Sequence, residues 1–257
     1  MRAVAEGVTL TGGVRVVAAL LAAYLVLGQA IVGIWSQERF RRAQPDPGAR
    51  LRRYRRTTAL EWTLLAVALG LVAAAPGLDL GDLGVRWPRP SAYTAVGGVG
   101  LVLSIGLLTS LRRRVDRGVE VVAPAEVGAL LPRTGAERRA FARLGVTAGI
   151  CEETLYRGML LAIAAALAPG LSPGRLVAVS ALAFAVAHTY QGLTGMLTAL
   201  VLGGSLAVLF LGSGSLLLPV AYHVLVGLRV LVLAVDRHRP RHRPRHRARR
   251  AVGPAAG

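Results

Sequence analysis

Apolar stretches of about 20 residues alternate with short arginine-rich stretches along most of the chain. A helix rises 1.5 Å per residue, so about 20 apolar residues cross a hydrocarbon core of ~30 Å. The pattern predicts membrane-spanning helices at residues 14–35, 58–76, 91–111, 175–190, 193–211 and 216–235. A further helix is predicted at residues 135–167, with the part from about residue 144 inside the membrane. We therefore expect an all-α polytopic membrane helix bundle with about seven transmembrane helices.

The start of the helix at residues 135–167 has a local signal of its own. Thr134 and Glu137 have the spacing of a capping box, in which each side chain satisfies a backbone N–H of the other residue. The first turns set Arg138 and Arg139 against Phe141. This amphipathic beginning is typical of a helix that starts at the membrane interface.

The arginine blocks predict the orientation of the chain. Blocks at residues 39–56, 112–117 and 237–250 fall on one side of a seven-helix arrangement. Arginine-rich loops mark the cytoplasmic side, which predicts an N-terminus outside and a C-terminus in the cytoplasm. The domain prediction is N-terminal transmembrane helices at 1–111, a cytoplasmic linker at 112–134, a catalytic helix bundle at 135–235 and a disordered Arg/His/Pro-rich cytoplasmic tail at 236–257.

Composition agrees with a membrane protein. The chain of 257 residues is 54% hydrophobic and only 17% charged, with a mean hydropathy of +0.53. The net charge of +18 comes from 31 basic residues, all arginine, and their clustering between apolar segments favours topology over nucleic-acid binding. We predict a multi-pass protein of the cell membrane that contacts membrane lipids and binds no nucleic acid. The arginine tail is either a topology anchor or a site for anionic lipid headgroups.

Two adjacent acids interrupt an apolar segment and are the first candidate site residues. Ionisable groups inside a membrane are costly and usually functional. Glu153 and Arg157 are four residues apart on one helical face, so they are expected to pair. Glu152 points elsewhere on the helix and has no basic residue three or four positions later. An unpaired carboxylate in an apolar site is a candidate general base.

Two histidines lie in a long segment that contains no charged residue. The run from Leu176 to Leu228 has no Asp, Glu, Lys or Arg, and it contains His188 and His223. With the predicted topology, both histidines and Glu152 can meet in the cytoplasmic half of the membrane. The sequence therefore predicts a polar site built from three separate helices.

These residues resemble the motifs of a known family. Glu152-Glu153-xxx-Arg157 is similar to the EExxxR motif of the CAAX-protease and bacteriocin-processing (CPBP) family of intramembrane glutamic endopeptidases. The run Phe184-Ala185-Val186-Ala187-His188 matches its FxxxH motif, and His223 matches the histidine of its third motif, HxxxN or HxxxD. The resemblance covers about residues 125–235.

The resemblance implies a role for each residue. Glu152 would activate the water that attacks a peptide bond, and His188 would help to hold that water. Glu153 and Arg157 would brace the site, while His223 and the residue four positions later would stabilise the oxyanion. It implies no metal ligand and no cofactor, and it implies a peptide or protein substrate, with a lipid-attached one as an alternative.

One position departs from the family pattern. Gly227 stands where the third motif has Asn or Asp, and the chain contains no asparagine. Loss of one oxyanion donor costs about 10²–10³ in rate. Gln191, Tyr190 and Arg229 are the candidate replacements for the missing donor.

Three alternatives to a glutamic endopeptidase stay open at this point. Glu152, His188 and His223 could be three ligands of a catalytic zinc, although no HExxH motif is present. A non-catalytic scaffold or immunity-type relative would explain Gly227. A transporter is less consistent with the sequence, because no inverted repeat is visible.

Overall fold

The computed structural model describes residues 10–43, 46–117 and 128–236, with side chains up to residue 231. The helices that carry the fold are α1 (Gly12–Arg42), α2 (Ala49–Ala74), α3 (Ala92–Asp116), α4 (residues 135–167), α5 (Pro173–Ala187), α6 (Gly192–Ser213) and α7 (Leu217–Asp236). A 3₁₀ turn, Thr189–Gln191, joins α5 to α6. The described ranges contain no strand, which confirms the all-α prediction for them. The tail predicted to be disordered lies, from residue 237 on, outside the described residues.

Within the described ranges, four helices are long and apolar enough to cross a membrane: Gly12–Arg42, Ala49–Ala74, Ala92–Asp116 and Thr189–Ser213. Pro173–Ala187 and Leu217–Leu231 are shorter apolar helices. Valines and leucines are exposed along α3, as expected for a surface that faces lipid. The protein is thus a multi-pass membrane protein, while the count of seven spans and the orientation stay predictions.

Two arginine blocks are helical rather than loop-like. The block after residue 49 forms the first two turns of α2, and residues 112–116, predicted to begin a linker, continue α3. Arg50 is buried beside Glu137, with Nε and Oε1 3.5 Å apart. This arginine therefore ties α2 to the start of α4.

The predicted capping box at the start of α4 is confirmed. The Glu137 N–H donates to Thr134 Oγ1 at 3.2 Å, and Glu137 Oε2 accepts from the Thr134 N–H at 3.1 Å. The same carboxylate oxygen accepts from the Arg133 N–H at 2.6 Å. Three backbone N–H groups at this helix end are thereby satisfied, which fixes where α4 begins.

Helix α4 is central to the bundle. Its first half packs between α2 and α7, and α7 also packs on α3. Its second half lies against α5, which packs in turn on α6 and α1. The main core cluster draws Leu25 from α1, Ala68 from α2, Leu155 and Met159 from α4, and Phe184 from α5. The polar residues of α4 are therefore enclosed on several sides by apolar helices.

Two π-helical segments interrupt helices next to the polar residues. Tyr24–Gly28 lies within α1, and Thr154–Met159 lies within α4 immediately after the two acids. Tyr156 joins them, since its hydroxyl donates to the Leu25 carbonyl at 3.0 Å. Such single-turn π segments often occur at functional sites. Here they fix the direction in which α4 presents its acids and Arg157.

Candidate active site

Glu153 is fully buried, and one of its two carboxylate oxygens is paired. Arg157 Nη1 donates to Glu153 Oε1 at 2.9 Å, and the same oxygen lies 2.7 Å from His223 Nδ1. Arg157 Nη2 also donates to the Gly203 carbonyl on α6 at 3.1 Å. The predicted pairing of Glu153 with Arg157 is therefore present, and His223 joins it. This ion-paired group connects α4, α6 and α7.

Glu152 has the opposite environment. No described residue makes a hydrogen bond to its carboxylate, and Oε2 is buried. The nearest polar atoms are His188 Nε2 at 3.9 Å and His223 Nε2 at 3.8 Å from Oε2. These separations are longer than a direct hydrogen bond. A small polar molecule bound to Glu152 would be within hydrogen-bonding reach of both rings. The structure brings together the three residues that the sequence analysis placed on separate helices.

Each histidine is oriented through its other ring nitrogen. His188 Nδ1 lies 2.8 Å from the Phe184 carbonyl, one helical turn earlier, and it must carry a proton to donate there. His223 Nδ1 donates in the same way to the Glu153 carboxylate. A neutral ring at either position therefore presents an unprotonated Nε2 to Glu152. A doubly protonated His223 would present an N–H instead, with its charge beside Glu153.

Phe184 is the aromatic centre of this group. Its ring lies 4.4 Å from the Arg157 guanidinium carbon, a cation–π distance. The same ring is 4.3 Å from the His188 ring and 5.8 Å, edge to face, from the His223 ring. One side chain therefore packs on Arg157 and on both histidines, which gives a physical reason for a phenylalanine four residues before His188.

A cavity of about 350 Å³ opens onto Glu152 and His188. A volume of this size is typical of a ligand site. Buried Glu61 and Glu152 lie at its inner end, and arginines of α1 and α2, all exposed except the half-buried Arg53, line its outer end. The cavity-lining arginines are Arg39, Arg52, Arg53 and Arg56.

Glu61 is a site residue that the sequence analysis missed. Its side chain on α2 is 2% exposed, lines the same cavity as Glu152 and His188, and makes no hydrogen bond to any described residue. It lies within electrostatic range of Glu152. A lone acid in the apolar segment of α2 was the available signal, by the same reasoning that singled out Glu152.

The three candidate replacements for the missing donor occupy different places. Tyr190 lines the cavity, whereas Gln191 and Arg229 do not. Gly227 itself faces the backbone of Gly145 on α4, where an added Cβ would lie 3.5 Å from the Gly145 Cα. A small side chain at position 227 therefore meets only ordinary contacts.

The described side chains give a zinc site no support. Among residues 10–43, 46–117 and 128–231, no group of three or more His, Cys, Asp or Glu side chains has an arrangement that could hold a metal ion.

A comparison with protein-family models agrees with the motifs. Residues 137–228 match the family model for type II CAAX prenyl endopeptidase, Rce1-like. The resemblance inferred from the motifs is confirmed. The matched segment is less than half of the chain, and it contains Glu152, Glu153, Arg157, His188 and His223. Neither the curated proteins nor the solved structures include a match to this chain.

The Rce1-like match indicates a peptidase that acts on a peptide or protein. It ends one residue after Gly227, so the position that departs from the family pattern lies within it. It does not reach α1 and α2, which supply Glu61 and the cavity-lining arginines. Part of the cavity wall is therefore built by helices outside the family segment.

Proposed function

We propose that this protein is an intramembrane endopeptidase of the glutamic type, with Glu152 as the general base. The observation that carries the proposal is the unpaired, buried Oε2 of Glu152, faced by the Nε2 atoms of two histidines at the end of a cavity. Glu153, one residue later, has its charge balanced by Arg157. Adjacent acids with such different environments are suited to different roles.

The proposed reaction begins with a water held between Glu152 and His188. The water donates one hydrogen bond to each, and Glu152 takes its proton as the oxygen attacks the peptide carbonyl. His223, doubly protonated, donates from Nε2 to the oxygen on which negative charge develops. When the C–N bond breaks, Glu152 returns the proton to the leaving nitrogen. Glu153 and Arg157 act by holding His223 and the helices in position.

The shape and charge of the cavity support a substrate that enters from the arginine-rich side. Arg53 lies eight residues before Glu61 on α2, about 12 Å along the helix. An extended peptide covers that distance with three to four residues. With the predicted orientation, this opening faces the cytoplasm, and the substrate is a peptide or protein segment of the cell membrane. A lipid-attached segment would reach the same opening from the bilayer.

The test is cleavage of a peptide library by purified protein in lipid nanodiscs, with and without a chelator. We expect cleavage by wild type, loss of at least ~10³ in rate with Glu152→Ala, and no effect of the chelator. The matched control is Glu38→Ala, because Glu38 is an exposed acid paired with the exposed Arg42, away from the cavity lining. Equal cleavage by wild type and Glu152→Ala would refute the mechanism, and loss with the chelator would favour a metalloprotease.

A second candidate function rests on Gly227. A chain without the expected donor at position 227 could be a scaffold in which the Glu153–Arg157–His223 group only joins helices. Absence of cleavage by wild type across the library, with a folded protein, would favour this role.

A further inference from the structure

The proposed mechanism has one donor for the oxyanion where the family pattern has two. Gly227 carries no side chain, and its Cα faces the Gly145 backbone on α4. The chain contains no asparagine, so none can take over this role. If the protein cleaves peptides at a useful rate, another O–H or N–H group must face the reacting carbonyl.

Tyr190 lies beside the proposed site. It belongs to the 3₁₀ turn that follows α5, two residues after His188. Its ring is 6.0 Å from the His188 ring and nearly parallel to it, with an interplanar angle of 28°. It lines the cavity together with Glu152 and Glu61.

Neighbouring helices hold the Tyr190 ring in place. The Arg53 guanidinium lies 5.7 Å from the ring centroid. On α1, a Cβ added to Gly33 would lie only 3.0 Å from Tyr190 Cδ1, so a glycine at this position allows the ring to approach the helix backbone. A ring held by two helices is a preorganised donor rather than a freely moving one.

The Tyr190 hydroxyl has an unused proton. Gln191 Nε2 donates to the Tyr190 oxygen at 3.0 Å. Within the described part of the chain, no acceptor receives the Tyr190 O–H. The hydroxyl is therefore oriented by an incoming hydrogen bond and keeps its own donor available for a molecule in the cavity.

We propose that Tyr190 is a catalytic residue that donates a hydrogen bond to the oxyanion, in place of the side chain absent at position 227. As the water oxygen bonds to the carbonyl carbon, the electron pair of the C=O double bond moves to the carbonyl oxygen. The Tyr190 O–H stabilises that charge and keeps its proton, while Glu152 carries the proton from water to the leaving nitrogen. This role rests on the endopeptidase function proposed above.

The test compares Tyr190→Phe, Gly227→Asn and the double variant, using a peptide that wild type cleaves. Tyr190→Phe keeps the ring and removes only the hydroxyl, so we expect kcat to fall about 10²–10³-fold with little change in KM. Gly227→Asn introduces the amide side chain of the family's third motif. The double variant should therefore have a kcat at least ~10-fold higher than that of Tyr190→Phe alone. Tyr222→Phe is the matched control, because its hydroxyl donates to the Gly97 carbonyl outside the cavity.

The outcomes separate the two proposals. If Glu152→Ala abolishes cleavage but Tyr190→Phe retains kcat within threefold of wild type, the endopeptidase function stands and the role of Tyr190 is refuted. A fall in Tyr190→Phe activity that appears in KM alone would also refute it, since a donor to the oxyanion acts on kcat. If wild type shows no Glu152-dependent cleavage, both proposals fail.

Discussion

Replacing Arg157 with methionine isolates the stabilising role of the buried ion pair. Both Arg157 and Glu153 are 0% exposed, and the arginine makes hydrogen bonds to Glu153 and to the Gly203 carbonyl. Removing one partner of a buried pair costs about 3–5 kcal/mol, because an uncompensated charge remains. His223 stays 2.7 Å from Glu153, so we expect a destabilisation at the lower end of this range, about 3 kcal/mol. For a chain of this size that corresponds to a fall in Tm of roughly 6–12 °C.

The double variant Glu153→Met/Arg157→Met tests the reasoning, because it removes both charges and fills similar volume. Replacing a buried pair with apolar side chains is often neutral or stabilising by about 1–4 kcal/mol. We therefore expect its Tm to return to near wild type while cleavage is lost, since His223 Nδ1 no longer has a carboxylate to orient it. Thermal unfolding in detergent micelles measures the first quantity and the peptide assay the second.

An exposed pair of the same spacing provides the control. Arg42 and Glu38 are 2.8 Å apart on α1, with side chains 78% and 48% exposed. Arg42→Met should change stability by less than about 1 kcal/mol, because solvent screens such pairs. If the double methionine variant is as unstable as Arg157→Met, the cost does not come from an unpaired buried charge and the argument fails.

Two further substitutions address stability away from the proposed chemistry. Thr134→Ala removes the side chain that caps α4, so it should destabilise the protein by about 1 kcal/mol and leave kcat unchanged. Thermal unfolding measures the stability, and the peptide assay measures kcat. A loss of activity at constant stability would contradict a purely structural role for this cap. Glu61→Leu removes a buried carboxylate that has no hydrogen-bond partner among the described residues, so it should stabilise the protein by about 1–3 kcal/mol. It should also lower cleavage, because Glu61 lines the cavity. A fall in Tm would show that Glu61 has a stabilising partner.

Local signals allowed the sequence to predict α4 and its acids closely. The capping box fixed the first residue of the helix, and the four-residue spacing predicted the pair of Glu153 with Arg157. The hydrogen bond from His223 to Glu153 joins residues 70 positions apart. No local rule indicates which of two adjacent acids a distant histidine will contact.

Other features escaped prediction because their cause is tertiary. Arg50 looked like one member of a topology block, yet it is buried against Glu137. The π-helical turn after Glu153 has no composition signal of its own in an apolar helix. Glu61 could have been recognised as an acid in an apolar segment, but its position beside Glu152 depends on how α2 packs on α4.

The division of the cavity wall between helices has a consequence for how such a protein can change. The proposed reacting groups lie on α4, on α7 and in the segment that follows α5, whereas exposed Arg39 of α1 and exposed Arg52 and Arg56 of α2 line the outer end of the same cavity. Substitutions at the exposed arginines of α1 and α2 alter charge and width at the opening without touching the ion-paired group around Glu153. Substrate preference can therefore drift through these exposed arginines while the chemistry stays constant. Exchange of the whole helices would reach further, because Gly33 of α1 and Arg53 of α2 contact Tyr190.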